Sequence, residues 1–443
     1  GAMSPLLNPI VWSVILLMGL SIARMNVVLA LLCAALVAGI GGGLDLESTL
    51  AAFGDGLGGG ANIALSYALL GAFAVAIARS GITEWLAARI IARLGRTPAP
   101  HQLRRIRTLL LTVLLAAAIM SQNLVPIHIA FIPILVPPLL EVMHQLRLDR
   151  RLTACVLTFG LITPYMVLPV GFGSIFLHTQ LGPSLAKAGL EIPKGELPLA
   201  MLLPAAGMVV GLILAFIRYR KPRDYRPVEL PGEEQHVSLS PRNVIVAAIA
   251  LAAALALQLY SDSIILGALV GFLVFTAGGV VPWRESQDAF TQGVKMMSLI
   301  GFIMIAANGY AAVVGASGQV PVLVESVTSG LQSPPLAAAL LLLLGLFVTL
   351  GIGSSFSTIP IITTLYVPLC LALGFSPLAT AALVGSAAAL GDAGSPASDS
   401  TLGPTAGLNA DGQHDHIRDT VIPTFIHYNL PLIAAGWLAA MVL

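Results

Sequence analysis

Long apolar runs, separated by short charged loops, dominate the pattern of hydrophobic and polar positions along the chain. Two of these runs, 152–186 and 326–391, contain no Lys, Arg, Asp or Glu over 35 and 66 residues. A helix crosses the apolar part of a bilayer in roughly 20 residues, so both runs are too long for one straight span. The pattern therefore predicts a polytopic, all-α membrane protein in which some helices are broken or doubled back.

The apolar runs form an ordered series of predicted helical elements. Single spans are predicted near 8–23, 26–44, 61–79, 198–218, 243–260, 263–282, 296–315 and 420–442. Double-length elements are predicted at 108–140 and 335–375, and elements with an interrupted middle at 152–181 and 377–404. The order of elements in 1–218 thus returns in 243–443, and the charged stretch 219–242 is predicted to be a cytoplasmic linker between the halves.

Comparison of the chain with itself supports an internal duplication. At one common offset, Ala52, Phe53, Gly56, Ser80 and Gly81 match Ala289, Phe290, Gly293, Ser317 and Gly318; at slightly smaller offsets, Pro164 and Gly171 match Pro396 and Gly403. If each double-length element enters and leaves the membrane on one side, each half has an odd number of crossings and the second half is inverted. Inverted repeats with interrupted helices in corresponding places are typical of secondary transporters, whose sites lie near the bilayer midplane.

Composition narrows the class of protein further. Of 443 residues, 57% are hydrophobic and only 10% are charged, which leaves too little polar surface for a soluble enzyme of this size. No acid, base and nucleophile set can be assembled for a membrane enzyme, so no enzymatic activity is predicted. The chain has no basic stripe interleaved with aromatic residues, and no nucleic-acid partner is expected.

The basic residues predict an orientation, because cytoplasmic loops carry the excess of Lys and Arg. Placing 79–107 in the cytoplasm puts all of the 22 basic residues on that side except Lys187 and Lys194. This distribution predicts a multi-pass protein of the cytoplasmic membrane, with its basic loops and the linker on the inner side, next to membrane lipids.

Two acidic residues stand out because they are embedded in an apolar element, at Asp392 and Asp399. An ionisable group at membrane depth is costly and normally faces a cavity, an ion or a partner. Neighbouring Gly and Pro residues open the helix, while Ser395, Ser398 and Thr401 add hydroxyl oxygens suited to a hard cation. The segment predicts a site where Asp392 and Asp399 bind Na⁺ and where H⁺ competes for them. The alternative is a capped helix break with solvated aspartates.

Uncharged polar residues lie at the midpoints of the two double-length elements and at the first-half break. They are Ser121, Gln122 and Asn123 in the first element, Ser354, Ser355, Ser357 and Thr358 in the second, and Thr163 at the break. We interpret both midpoints as tips of re-entrant hairpins, with local capping of helix ends as the alternative. Such side chains suit a zwitterion better than a bare cation, so they are candidate substrate-binding residues.

The histidines carry less specific predictions. His128, His178 and His427 can each be a satisfied interior histidine or a proton relay, and the sequence leaves this open. The run that contains Asp411, His414, Asp415 and His416 is predicted to be a solvated loop rather than a metal site, since ligand spacing alone is weak evidence.

The segment Gly391 to Thr401 resembles the signature of the NhaC-like Na⁺/H⁺ antiporter family of the ion transporter superfamily. The matching residues are Asp392, Ser395, Pro396, Ser398, Asp399, Ser400 and Thr401. The onward stretch 403–431 is more similar to the YuiF branch of that superfamily, some members of which are regarded as amino-acid permeases with histidine among the suggested substrates. The resemblance implies an inverted-repeat transporter with two re-entrant hairpins and two broken helices, often a homodimer, in which a transport domain moves against a scaffold.

These observations predict a cation-coupled secondary transporter, with Na⁺/H⁺ antiport at Asp392 and Asp399 as the leading hypothesis. Na⁺ and H⁺ are the expected coupling ions, and no other cofactor is expected. The alternative is Na⁺- or H⁺-coupled uptake of a small amino acid such as histidine. A passive channel fits less well, because it needs a continuous polar pore rather than one midplane site bracketed by repeats.

Overall fold

The computed structural model describes residues 4–82, 99–123, 135–170, 172–230, 240–261 and 263–443, and residues 85, 88, 89, 92, 93 and 132. In these residues all regular secondary structure is helical. Seven of the described helices are long and apolar enough to cross a membrane on their own. The prediction of an all-α, polytopic membrane protein is therefore confirmed.

The helices follow the predicted order in both halves. The first half contains α1 (Pro9–Ile22), α2 (Val27–Gly41), α3 (Leu46–Arg79), α4 (Pro100–Asn123), α5 (Leu140–Gln145), α6 (Arg150–Val167), α7 (Phe172–Lys187) and α8 (Lys194–Arg218). The second half contains α9 (Pro241–Ser261), α10 (Ile264–Ala277), α11 (Ser286–Ser317), α12 (Gln319–Thr328), α13 (Pro334–Ile352), α14 (Ser355–Ala372), α15 (Pro377–Ala389), α16 (Asp399–Leu408) and α17 (His416–Val442).

Polar residues before the apolar runs begin several of these helices. The side chains of Asn8, Asn26 and Asp45 accept backbone N–H bonds in the first turns of α1, α2 and α3. Such caps satisfy amide groups that have no partner within the helix. The cap at Asp45 also starts α3 well before the predicted span at 61–79.

The long helices α3 and α11 pack against each other through glycines. A Cβ atom on Gly71 would lie 2.4 Å from the carbonyl oxygen of Gly293, and one on Gly60 would lie 2.4 Å from that of Met304. Higher residue numbers in α3 thus meet lower ones in α11, so the helices run antiparallel. Gly56 and Gly293 are matched positions of the sequence duplication, and an antiparallel arrangement is what an inverted repeat requires of matched helices.

The second double-length element is an antiparallel pair of helices, α13 and α14. The Tyr366 hydroxyl donates to the Leu341 carbonyl oxygen at 2.7 Å, and the Thr349 and Thr358 hydroxyl oxygens are 3.0 Å apart. Gly353 turns the chain with φ +79°, a conformation that favours glycine. In the first double-length element, α4 ends at Asn123, and the rest of its predicted tip, including His128, lies outside the described residues.

Both predicted breaks occur, and the first-half bend lies between Val167 and Phe172, within the segment 163–174 that the sequence predicts to be interrupted. Helices α6 and α7 meet at an angle of 51°, and the helix continues past Pro164 to Val167 before it bends. Between α15 and α16 the chain is irregular at 390–398, where Gly391 and Gly394 have φ of +86° and +79°. Gly403 lies inside α16 and does not mark a break.

The beginning of the linker lies against the loops that follow α5 and α16. The Arg223 amide donates to the Arg147 carbonyl oxygen at 2.9 Å, and Gln413 Nε2 donates to the Arg226 carbonyl oxygen at 2.9 Å. We call the surface formed by 145–151, 219–226 and 409–415 the basic face. It joins the ends of the two broken elements on one side of the molecule.

Candidate functional site

Asp392 lies in the break between α15 and α16 and is only 6% exposed. Three hydroxyl groups donate to its carboxylate: Tyr165 at 2.5 Å and Ser355 at 3.1 Å to Oδ2, and Ser398 to Oδ1. These donors come from α6, from the tip of the α13–α14 pair and from the break itself. They supply the hydrogen bonds that an ionised carboxylate needs when no basic side chain is bonded to it.

The remaining predicted cation-site hydroxyls shape the break rather than contact a carboxylate. Ser395 Oγ donates to the Leu350 carbonyl oxygen at 2.9 Å, which ties the break to α13. Thr401 Oγ1 bonds the carbonyl oxygens of Ser395 and Ser398, at 2.5 and 3.0 Å. The predicted hydroxyl residues therefore do gather at the break, but only Ser398 touches Asp392.

Asp399 is the first residue of α16 and is bonded differently from Asp392. Its Oδ1 atom is buried and has no hydrogen-bond partner among the described residues. The hydroxyl of Tyr67 on α3 is also buried without a hydrogen-bond partner in that part of the chain, and it lies within electrostatic range of the Asp399 carboxylate. A buried polar atom without a partner is rare in native structures and often marks a missing ion, water or ligand.

The last helix holds the break in place. Asn429 accepts from the Gly391 amide at 3.1 Å and donates to the Ala393 carbonyl oxygen at 2.9 Å. Thr424 accepts from the Gly394 amide at 3.1 Å. These contacts satisfy backbone groups that the open helix leaves free, as non-helical backbone inside a membrane protein requires.

The predicted substrate-binding residues separate into three groups. Ser355 belongs to the Asp392 cluster, while Ser354 caps α14, Ser357 is exposed and Thr358 bonds to Thr349. Ser121 bonds its own helix, and Gln122 donates to the Leu161 carbonyl oxygen at 2.7 Å. Gln122 Oε1 and Thr163 Oγ1 are buried and lack hydrogen-bond partners among the described residues. The side chain of Asn123 lies outside the described residues.

The prediction of a solvated loop after α16 is wrong. Asp411 and Arg150 form a buried ion pair at 2.6 Å, and His414 and His416 are 3% and 5% exposed. His416 connects the loop to the site, because its Nε2 donates to the Pro396 carbonyl oxygen at 2.8 Å. Among the residues described, no group of three or more His, Cys, Asp or Glu side chains could hold a metal ion.

Burial lowers the pKa of His414 well below its usual range, and the nearby Arg150, His416 and Arg223 lower it further. His427 bonds the Pro423 carbonyl oxygen at 2.7 Å through Nδ1, as a satisfied interior histidine does. His178 has a buried Nδ1 atom with no partner in the described part of the chain.

Sequence reasoning missed four residues of this site: Tyr67, Tyr165, Thr424 and Asn429. Tyr165 and Asp392 are 227 positions apart, so no local pattern joins them. The signal available for Tyr165 was its place beside Pro164, at the first-half position that matches the second-half break.

The break and the start of α16 thus present two carboxylates. Asp392 accepts three hydroxyl hydrogen bonds, whereas Asp399 Oδ1 has no hydrogen-bond partner among the described residues. A fixed carboxylate beside a free carboxylate oxygen can bind and release a small cation or a proton.

Comparison with known proteins agrees with the resemblance found at the break. Residues 156–437 match the model of the Na⁺/H⁺ antiporter family, and residues 8–94 match a second model described as a Na⁺-H⁺ antiporter family. The chain is 48% identical to YuiF of Bacillus subtilis, provisionally named an amino acid transporter, over 99% of this chain and 100% of that one. It is 33% identical to the Na⁺/H⁺ antiporter NhaC of Alkalihalophilus pseudofirmus, over 33% of this chain and 32% of that one.

Among solved structures, the YdaH transporter of Alcanivorax borkumensis aligns with a TM-score of 0.41 and 13% identity, over 89% of this chain and 88% of that chain. That score is too low to support an argument. The family model covers more than half of the chain, and the YuiF match covers nearly all of it. The chain belongs to the Na⁺/H⁺ antiporter family.

Proposed function

We propose that this protein is a cation-coupled secondary transporter of the cytoplasmic membrane that exchanges Na⁺ for H⁺ at Asp392 and Asp399. The observation that carries the proposal is the buried Oδ1 of Asp399, which has no hydrogen-bond partner among the described residues. Asp399 directly follows the break that contains Asp392, whose carboxylate accepts three hydroxyl hydrogen bonds. An anionic oxygen at this depth needs a cation or a proton, and either can serve.

The two aspartates take different roles in this proposal. Asp392, held by Tyr165, Ser355 and Ser398, is the fixed negative charge of the site. Asp399 is the carboxylate that exchanges Na⁺ for H⁺, because its free oxygen can accept either one. The carbonyl oxygens of the open helix and the hydroxyl of Ser398 are hard ligands of the kind that Na⁺ prefers.

Two features of the fold bear on how the two halves of the chain are arranged. The antiparallel packing of α3 and α11 supports an inverted repeat, and the turn at Gly353 supports a hairpin that enters and leaves on one side. We propose that both halves place their broken elements in a transport domain, that α3 and α11 belong to a scaffold, and that the transporter is a homodimer.

Antiport is tested in proteoliposomes that contain only this protein and a lumenal pH dye, clamped at zero membrane potential under an imposed Na⁺ gradient. We expect protons to move opposite to Na⁺, and we expect Asp399→Asn to abolish this movement, since an amide cannot exchange a proton. Asp55→Asn is the matched control, because Asp55 is an exposed acid in α3. Exchange that survives in Asp399→Asn would remove this aspartate from the mechanism.

A second candidate function is cation-coupled uptake of a small amino acid. The observation that favours it is the pair of buried atoms, Gln122 Oε1 and Thr163 Oγ1, that have no hydrogen-bond partner among the described residues. Both can accept hydrogen bonds, so they can receive the ammonium group of a zwitterion without adding a charge.

A dye that remains silent under the Na⁺ gradient alone, but responds when histidine or another amino acid is added, would favour uptake over antiport. In that case Gln122→Leu should raise the KM for the amino acid by roughly 5- to 150-fold, because one missing buried hydrogen bond costs about 1–3 kcal/mol. Gln145→Leu is the control, since Gln145 is exposed on α5. An equal KM in both variants would argue against Gln122 as a substrate ligand.

A further inference from the structure

A cavity of about 600 Å³ opens beside the basic face. One wall is the turn between α1 and α2 together with α11, and the other is α16 and the loop 409–419. Neither Asp392 nor Asp399 lines the cavity. Its volume falls within the range of small-molecule sites, about 300–1,000 Å³.

Several polar groups on the lining already have hydrogen-bond partners. The side-chain oxygens of Asn26 and Asn409 already accept from the amides of Val28 and His414, at 2.8 and 3.1 Å. Asp419 accepts from Arg223 at 3.4 Å and from the Asp415 amide at 2.9 Å, and Asp415 accepts from the Arg418 amide at 2.8 Å. Both carboxylates line the cavity together with Arg24 and Arg418, and Arg223 already engages the Asp419 carboxylate.

The free polar groups on the lining are mostly donors. The guanidinium groups of Arg24 and Arg418 and the amide nitrogens of Asn26 and Asn409 make no hydrogen bond or ion pair to another described residue. Ser21, which is 4% exposed and also lines the cavity, has a buried hydroxyl without a partner in the described part of the chain. A lining that presents unengaged donors, two of them cationic, is complementary to an anion.

Arg24 is held in a conformation that side chains rarely adopt, with φ +71°. It ends α1 where the Met25 amide bonds back to the Leu20 carbonyl oxygen at 2.9 Å, a helix-ending position usually taken by glycine. The end of the helix accounts for this positive φ, and it places Arg24 in the turn that lines the cavity.

The part of the lining that α11 contributes is apolar, with Met296, Leu299, Ile300 and Ile303. A fully hydrated anion such as inorganic phosphate gains nothing from this wall, whereas a carboxylate with a hydrocarbon body can bury that body against it. We propose that the cavity is a binding site for a small organic carboxylate, held by Arg24 and Arg418 and packed against α11.

The two guanidinium groups belong to opposite walls. Arg24 stands in the turn between α1 and α2, and Arg418 is in the first turn of α17, at the end of the loop that follows α16. A carboxylate bound by both links these walls, and it stabilises the arrangement of helices in which they stand at this separation. The site does not include Asp392 or Asp399, and its test measures binding rather than transport.

The test uses isovalerate, a branched carboxylate, with purified full-length protein in detergent at constant ionic strength, and measures Tm against ligand concentration. We expect saturable stabilisation of the unmodified protein, since a ligand that binds only the folded state raises Tm. Isoamyl alcohol, which has the same hydrocarbon body without the charge, and inorganic phosphate should stabilise at least tenfold more weakly. Isothermal titration with isovalerate gives the Kd independently of unfolding.

Arg24→Gln and Arg418→Gln should each raise the Kd for isovalerate by tenfold or more. Arg220→Gln, which removes an exposed arginine of the basic face that does not line the cavity, should leave it unchanged. The proposal is overturned by an unmodified protein that isovalerate does not stabilise, by equal binding of phosphate, or by an equal effect of all three substitutions. Loss of Na⁺/H⁺ exchange would leave this result unaffected, so the two proposals fail separately.

Discussion

At the residue scale, Asp392 and Asp399 differ because of residues that are close to them in the fold but distant in the sequence. Both lie in the segment 391–401, which is rich in Gly, Ser and Pro, and this local pattern does not distinguish their roles. The donors to Asp392 that come from α6 and α14 belong to distant parts of the chain, at Tyr165 and Ser355. Sequence patterns could identify the acidic residues, but only the fold determines which carboxylate is saturated and which keeps a free oxygen.

His414 shows the same dependence on distant partners. Its folded-state pKa lies below the unfolded value, so neutral His414 stabilises the fold above about pH 6.5, and this contribution is lost as the pH falls towards the folded pKa. We expect Tm of the purified protein to fall between pH 7 and pH 5, and to fall less in His414→Gln. His101→Gln, which replaces an exposed histidine, should keep the full dependence. Identical pH profiles for all three proteins would refute this assignment.

At the scale of the elements, hydropathy predicted most of the described helices and both interruptions. Glycine and proline located the break between α15 and α16, because the chain there needs positive φ at Gly391 and Gly394. The first-half break lies between Val167 and Phe172, inside the predicted segment 163–174, but α6 continues through Pro164, since a helix in a packed membrane protein tolerates proline when its neighbours satisfy the freed carbonyl groups.

The loop 409–415 was predicted wrongly because its partner is remote. Asp411 looks like an ordinary loop acid until Arg150 is brought to it, and both side chains are then at most 1% exposed. Periodicity indicates which residues share a helix face. It carries no information about an ion pair between the first residue of α6 and a loop in the other half of the chain. The same limit applies to Ser121 and Gln122, whose polar side chains predict a turn but not the carbonyl oxygens that they bond.

The Arg150–Asp411 pair leads to a prediction about stability. Asp411→Asn leaves a buried guanidinium without its counter-charge, and we expect unfolding free energy in detergent to fall by about 3–5 kcal/mol. Asp224→Asn breaks the exposed pair with Arg147, at 69% and 57% exposure, and should leave the unfolding free energy nearly unchanged, because solvent screens this pair. Equal losses in the two variants would show that burial of the pair does not determine its contribution.

At the scale of the whole molecule, two kinds of contact connect the first half of the chain to the second. The first is a close helix–helix interface in which a Cβ on Gly293 would lie 2.2 Å from the Ala72 amide nitrogen. The second is the basic face, where the linker and two loops meet. The sequence duplication predicted that the halves correspond, and the basic residues predicted that these loops share a side.

The predicted orientation can be measured with single cysteines. In a Cys33→Ala background, Lys221→Cys should react with a membrane-impermeant maleimide only from the cytoplasmic side, and Lys187→Cys only from the outside. The remaining native thiols, Cys155 and Cys370, are buried and should stay unlabelled. Labelling of both introduced cysteines from the same side would contradict the inverted arrangement of the repeats.

The buried pair between Arg150 and Asp411 also bears on how the protein is made. The partners are 261 positions apart, so at about 5–20 residues per second a ribosome reaches Asp411 tens of seconds after Arg150 has been synthesised. Until then the Arg150 guanidinium lacks the carboxylate of Asp411, and the linker at Arg226 lacks its contact with Gln413. A nascent chain that stops before Asp411 therefore cannot close its basic face.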